Sequence, residues 1–196
     1  MRISSRLLIA ALAILGALAA TARASGDPQI FFERTQERLA AIAAAPAGAR
    51  QRACEALVRD AFDAISLARS VASAGHWSVM QAETRQLLTD AVAGRLAREC
   101  AALVDRANPA LARVGRIREV PGGVRLTVLI PDDRGEERVV VWSLRTGGRL
   151  GWTATDLSID GRAAAASFRQ DFEAALTARP GPVSSAVAYF AAMGTK

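Results

Sequence analysis

The chain is almost without lysine and histidine: Lys196 is its one lysine and His76 its one histidine in 196 residues. No GxSxG, HExxH or paired CxxC run occurs, so neither a nucleophile elbow nor a local metal motif is present. The partners of a Ser-His-Asp set can lie far apart in sequence. His76 is therefore the one obvious catalyst if the protein is an enzyme, and otherwise a hydrogen-bonded turn histidine beside Trp77. Aromatics make up only 5% of the chain. Its 25 basic residues are spread and interleaved with 19 acids, with no basic block set among aromatics as nucleic-acid binding favours. Glycine pairs occur in "PGGV" and "TGGR" without the strand-GxxxxGK[ST]-helix setting of a phosphate loop. They fall where hairpins need positive φ. Asp132-Asp133 and Glu136-Glu137 sit in a turn-rich stretch, where solvation accounts for them. There is no internal repeat and no long linker.

What is present begins with "MRISSRLLIAALAILGALAATARAS". Arg2 and Arg6 precede an apolar run from Leu7 to about Ala20, which ends at Ala22-Arg23-Ala24. This is the layout of a secretory signal peptide with a small-x-small cleavage site. The alternative is a membrane anchor, but the run falls short of the ~20 residues that span a bilayer comfortably. No cysteine follows it to carry a lipid. We expect residues 1–24 to be a signal peptide and residues 25–196 one exported domain, long enough for its own core. Loss of Arg2, Arg6 and Arg23 lowers the formal charge from +6 to +3, or 22 basic against 19 acidic residues. Such a surface retains at most a weak attraction for anionic headgroups. Both cysteines, Cys54 and Cys100, lie in the exported part. An even count in an oxidising compartment points to a disulfide, the alternative being two buried thiols.

Apolar spacing predicts helices first. Asp27-Pro28 reads as an N-cap with proline at the first helical position, followed by Ile30, Phe31, Leu39 and Ile42 on a rough apolar stripe. A second helical run from Ala49 breaks near Phe62, and Gly75-His76-Trp77 is expected to interrupt it again. One long helix then runs from about Ser78 to Asn108-Pro109, with Leu87, Val92, Leu96, Cys100 and Leu103 inward. From Leu111 the period becomes two, giving four strands at about 111–120, 123–131, 137–145 and 150–159. Their short turn-rich links favour an antiparallel meander. Leu126, Val128 and Ile130 share one face of their strand with Val124, as do Val140, Trp142 and Leu144 of the next. Apolar Leu129, Val139 and Val141 alternate with them, so both sheet faces are expected to be covered. A helix from about Arg162 to Ala178 and a last one from Val183 to Met193 complete an α+β chain, with N- and C-terminal helices packed on the sheet.

The segment "GWTATDLSIDGRAAAASFRQDF", residues 151–172, joins a strand to a helix through Asp160-Gly161. Trp152-x-x-x-Asp156-Leu157-x-Ile159-Asp160-Gly161, followed by Phe168-Arg169-x-x-Phe172, resembles the C-terminal signature of the MlaC family. These are periplasmic phospholipid-binding proteins of the outer-membrane lipid-asymmetry pathway, also called toluene-tolerance auxiliary proteins. Ala154 stands where the family has a larger aliphatic residue. Phe62-Asp63 and Gly75-x-Trp77 match further family segments, and the helix after Trp77 carries Leu88 and Cys100 in place of its aromatics.

The resemblance implies an NTF2-like or cystatin-like fold around an apolar lipid cavity and a non-enzymatic carrier without a cofactor or metal. Its partners would be phospholipid, an inner-membrane ABC transporter with its substrate-binding ring, and an outer-membrane lipoprotein complex; the carrier itself is expected to be a monomer. By strand parity and helix phase, the cavity-lining candidates are Leu126, Val128, Ile130, Val140, Trp142, Leu144, Phe168 and Phe172, with the opposite sheet face as the alternative lining. Arg169 and Asp156 are expected either to pair and fix the turn or, through Arg169, to meet a phosphate. A hopanoid-binding relative, an exported enzyme on an NTF2-like scaffold and a solid-cored interaction module remain as alternatives. A Cys54–Cys100 bridge would stabilise the fold by about 2–4 kcal/mol. Intact-mass analysis after alkylation in denaturant is expected to add nothing at Cys54 and Cys100 before reduction and two groups after it; two groups without reductant would exclude the bridge.

Overall fold

The computed structural model describes residues 26–193; the expected signal peptide lies outside them. Asp27 accepts a hydrogen bond from the Gln29 amide (2.9 Å) and caps helix α1, Pro28–Ala44, with proline at its first position. Phe31, Thr35, Leu39 and Ile42 form its buried stripe, the 3.6-residue spacing of a helix packed on one side, whereas Ile30, expected on it, is exposed one step around the helix. Helix α2, Ala47–Ala61, buries Cys54, Leu57, Val58 and Ala61. It ends where Phe62 turns extended (φ −112°, ψ 145°).

Helix α3, Ala64–Val79, is capped by Asp63 and contains a break at Ser73, which sits at φ 63° and ψ 161°. The break expected at Gly75–Trp77 thus falls two residues earlier, at a serine in a backbone conformation that side chains rarely adopt. Helix α4, Ala82–Val104, is separated from α3 by extended Met80 and Gln81, so no single helix runs from Ser78. Its inward stripe is Leu88, Val92 and Leu96, spaced by four. Leu87 lies one residue, about 100°, around the helix and is 42% exposed, which corrects its expected inward placement. Cys54 and Cys100 are joined as a disulfide across 46 residues, tying α2 to α4.

A 3-10 turn at Pro109–Leu111 leads into the sheet: β1 Arg113–Val120, β2 Gly123–Pro131, β3 Glu137–Thr146, β4 Trp152–Ile159 and β5 Arg162–Ala163. Order is sequential and every pairing antiparallel. The sheet has five strands, not four. Asp160 (φ 50°) and Gly161 (φ 80°) make a two-residue connection with both central residues left-handed, the geometry that folds a strand directly back on itself. Two residues pair in β5 before helix α5, Ala164–Ala178, begins; helix α6, Val183–Met193, follows. Gly123 has no room for a side chain, since a Cβ there would lie 1.9 Å from the Leu144 carbonyl oxygen.

Val124, Leu126, Val128, Ile130, Val140, Trp142 and Leu144 are all buried beneath the helices. The alternate face, with Thr127, Leu129, Val139, Val141 and Ser143, is half-buried to exposed. The sheet is therefore covered on one face only, not on both as the alternating Leu129, Val139 and Val141 suggested, because the helices on both sides of it in sequence return to the same face. A bulge between Ser143 and Leu144 of β3 and their β4 partners places Thr155 as an extra residue, and its hydroxyl bonds the Ser143 carbonyl.

Phe62 and Asp63 join the helices to the sheet. The Asp63 amide donates to the Ala154 carbonyl (2.8 Å), and its carboxylate accepts from the Ser66 amide (3.0 Å) and from Arg145 of β3 (2.6 Å). Burial alone would push this carboxyl up. Hydrogen bonds from the Ser66 hydroxyl and amide and from Arg145, with the Arg145 charge, outweigh burial and hold it below the usual carboxylate range. A carboxyl depressed on folding stabilises above the unfolded value of about 3.9, and that contribution is lost as pH falls through the folded value. Asp63→Asn is expected to lower stability to denaturant at pH 7, with the difference from the parent protein shrinking below about pH 4. A difference that stays constant from pH 7 to pH 2 would contradict this.

Candidate functional site

Between the covered sheet face and α1 lies a narrow apolar slot. Its floor is Val128 and Ile130 of β2, Val140 and Trp142 of β3, and Leu157 and Ile159 of β4. Register aligns them: Val128 faces Val140, Trp142 faces Leu157, and Val140 faces Ile159. α1 forms the opposite wall with Phe31, Phe32, Thr35, Gln36 and Leu39; α2 and α4 add Leu57, Val58, Leu96, Cys100 and Leu103. Phe31 and Phe62 both pack on Trp142, with ring centres 5.6 and 5.4 Å apart, and set the width at that end. Gln36 holds α1 to the 3-10 turn by donating to the carbonyls of Pro109, Ala110 and Ala112 (2.8 Å to the last). The slot encloses about 50 Å³, a few times the ~10–15 Å³ that one water requires. Its polar side chains are Thr35, Gln36 and Glu99.

The slot adjoins a wider basin of about 840 Å³, the two sharing Leu96, Glu99, Leu103, Leu157 and Ile159. Charge of both signs lines the basin: Arg106, Arg134, Arg138 and Arg162 with Asp132, Asp133, Glu136 and Asp160. Arg138 pairs with Asp160 (2.7 Å) at the β4–β5 turn, so the Asp160-Gly161 turn also shapes the basin rim. Apolar walls, aromatic as well as aliphatic, thus meet a charged bowl at these shared residues.

Four of the eight expected lining residues, Val128, Ile130, Val140 and Trp142, lie in the slot. Leu126 and Leu144 are on the same sheet face, buried in the core outside it. Phe168 borders the basin. Phe172 lies in neither; its ring packs on Phe190 (5.9 Å) and on His76 (6.2 Å). Phe168 and Phe190 sandwich the Arg95 guanidinium, 4.8 and 4.7 Å from their ring centres, so the phenylalanines of α5 mainly join helix to helix. Beside His76, the nearest polar side-chain partner is the Ser73 hydroxyl, 3.4 Å from Nδ1.

Asp156 and Arg169 do not pair. Asp156 accepts from the amides of Leu157 (2.8 Å) and Ala165 (3.1 Å). It thereby caps α5, whose own N-cap residue Ala163 has no side-chain acceptor. Arg169 reaches α3 instead and donates twice to the Ser70 carbonyl (3.0 and 2.6 Å), near the Ser73 break where the regular helical ladder ends. It is not among the basin residues. The lining residues of α1 were legible only as a helical stripe, because nothing in a stripe distinguishes a slot wall from a solid core. Arg169→Ala is expected to cost about 1 kcal/mol in equilibrium unfolding, the low end for a charge-assisted bond because the side chain is exposed; no loss of stability would contradict the capping role.

Fold and site define an α+β domain whose one-sided antiparallel sheet and surrounding helices enclose an apolar slot. A family model described as "MlaC protein" matches residues 31–186, and the chain belongs to the MlaC family. Its fold is similar to that of a phospholipid-binding protein from Ralstonia solanacearum, solved in complex with a phospholipid. The TM-score is 0.66 at 18% identity, over 84% of this chain and 97% of that one. No curated protein matches the chain. Among the described residues, no helix is long and apolar enough to cross a membrane.

Proposed function

We propose that the protein is a periplasmic phospholipid carrier, exported as residues 25–196 after removal of a signal peptide, that shuttles glycerophospholipid between the outer and inner membranes. The observation that carries this reading is the continuity of slot and basin through Leu157 and Ile159 of β4 and Leu96 and Leu103 of α4. Acyl chains occupy the slot and the headgroup stays in the basin, where arginines suit a phosphate. Membership of the MlaC family and the phospholipid held by the Ralstonia protein of like fold support it.

The driving force is that of hydrocarbon in water. Each methylene hidden from water gains about 0.8 kcal/mol, so even a modest chain outside a membrane faces a penalty far above thermal energy. A sheath of aliphatic side chains removes that penalty without a chemical step. At about 50 Å³ the slot as it stands is too small for acyl chains, so loading widens it by moving α1 away from the sheet. Exchange partners on this reading are an inner-membrane ABC transporter with its substrate-binding ring and an outer-membrane lipoprotein complex.

Native mass spectrometry of the purified protein, followed by organic extraction, tests the proposal. Stoichiometric phospholipid is expected, and Val140→Glu, which places a charge on the slot floor, is expected to abolish it in a protein that remains helical by circular dichroism. A hopanoid in its place would keep the carrier and change its cargo. Protein that is empty and stays empty after incubation with phospholipid vesicles would overturn the reading.

A further inference from the structure

Among the polar side chains of the slot, Thr35 is the one with a buried polar atom left without a partner. It lies on the buried stripe of α1, is 2% exposed and lines the slot, yet its hydroxyl oxygen has no hydrogen-bond partner. Two other helical threonines put this group to use. Thr89 donates to the Arg85 carbonyl (2.8 Å) and Thr177 to the Glu173 carbonyl (3.0 Å), the local bond open to any threonine in a helix. At Thr35 the same bond is not made. A buried hydroxyl without a partner costs about 1–3 kcal/mol, which valine, of nearly the same shape, would avoid. The neighbouring Gln36 engages three carbonyls of the 3-10 turn and so pins this part of α1.

We propose that the Thr35 hydroxyl is a specificity contact that donates a hydrogen bond to an ester carbonyl of the bound lipid. The inference rests on the carrier reading above. Of the polar groups on a diacyl phospholipid, the phosphate and any charged headgroup would lose too much hydration among Phe31, Val128, Val140 and Trp142 to enter the slot. The ester carbonyl is neutral, accepts without donating and sits directly at the top of each acyl chain. It is the group that follows a chain past the charged basin at least cost, and it meets a donor there. Thr35 thereby separates ester-linked from ether-linked lipids and sets how deeply one chain is drawn in.

The test compares wild type, Thr35→Val and Thr35→Ser after delipidation. Each is titrated with phosphatidylethanolamine of matched chain length, either diacyl (ester) or dialkyl (ether). Wild type and Thr35→Ser are expected to favour the ester lipid over the ether lipid by about three- to tenfold, the usual worth of one hydrogen bond. Thr35→Val is expected to lose that preference and bind the ether lipid as wild type does. The delipidated Thr35→Val protein is expected to melt no lower than wild type, since no bond within the protein is removed. An ester preference unchanged in Thr35→Val would overturn the inference and leave the carrier intact, as would an equal loss of affinity for both lipids. A clear drop in melting temperature would overturn it too, by showing the hydroxyl bonded within the protein. If wild type binds neither lipid, the carrier reading falls as well.

Discussion

The placement of the helices over the slot floor depends first on the anchorage of two adjacent residues, Phe62 and Asp63. Between helices α2 and α3 the chain runs extended for just these two positions, long enough to form a parallel bridge with Ala154 of β4. The Asp63 carboxylate then serves two elements at once, capping α3 through Ser66 and holding Arg145 of β3. Phe62 lays its ring on Trp142 of the slot floor. A helical chain has no backbone donors or acceptors to spare for a sheet, so helix-to-sheet contact is normally apolar and free to slide. Here the interruption of the helix releases an amide for Ala154 and makes the contact directional. The phase of α2 relative to the floor, and through the disulfide that of α4, follows from that anchorage.

Where the apolar pattern has period two, the sequence was legible as strands with shared faces, but not as a sheet bare on one side. A strand offers only two faces, and Leu129, Val139 and Val141 on the second suggested a cover that the helices do not give it. Helices offer no such binary choice. Leu87 and Leu88 differ by one step in chain and by burial from half-exposed to none, and the stripe alone favours neither strongly. The strand-to-helix junction was legible as a turn because Asp160-Gly161 has an unambiguous backbone meaning. What Asp156 and Arg169 do there was not, since each bonds a main-chain group, the Ala165 amide or the Ser70 carbonyl, and main-chain partners leave no mark in side-chain chemistry. The Ser73 break was hidden for a related reason: serine is an ordinary helix residue, and nothing in its side chain marks a left-handed backbone.

Slot and basin divide the chemistry of the MlaC chain between two kinds of solvent. The basin brings four arginines and a comparable number of carboxylates to one rim, so its field is mixed in sign and screened by salt. It accommodates charge without holding any one anion tightly. The slot supplies area without direction, and the hydroxyl of Thr35 is the exception within it. On the carrier reading proposed above this arrangement favours exchange, since a site that gripped both ends of its cargo would release it slowly.

The disulfide has a mechanical consequence. Of the slot's walls, α2 and α4 are bonded to one another through Cys54 and Cys100, and the floor strands are laced by their own ladders. α1 is held by side chains alone: Gln36 on the 3-10 turn, Arg38 on Asp60 (3.1 Å), and Arg50 on the Ala43 and Ala45 carbonyls. The molecule is thus a clamp with one fixed jaw and one hinged jaw. The covalent link decides which is which, so any widening of the slot falls to α1 rather than to the seam between α2 and α4.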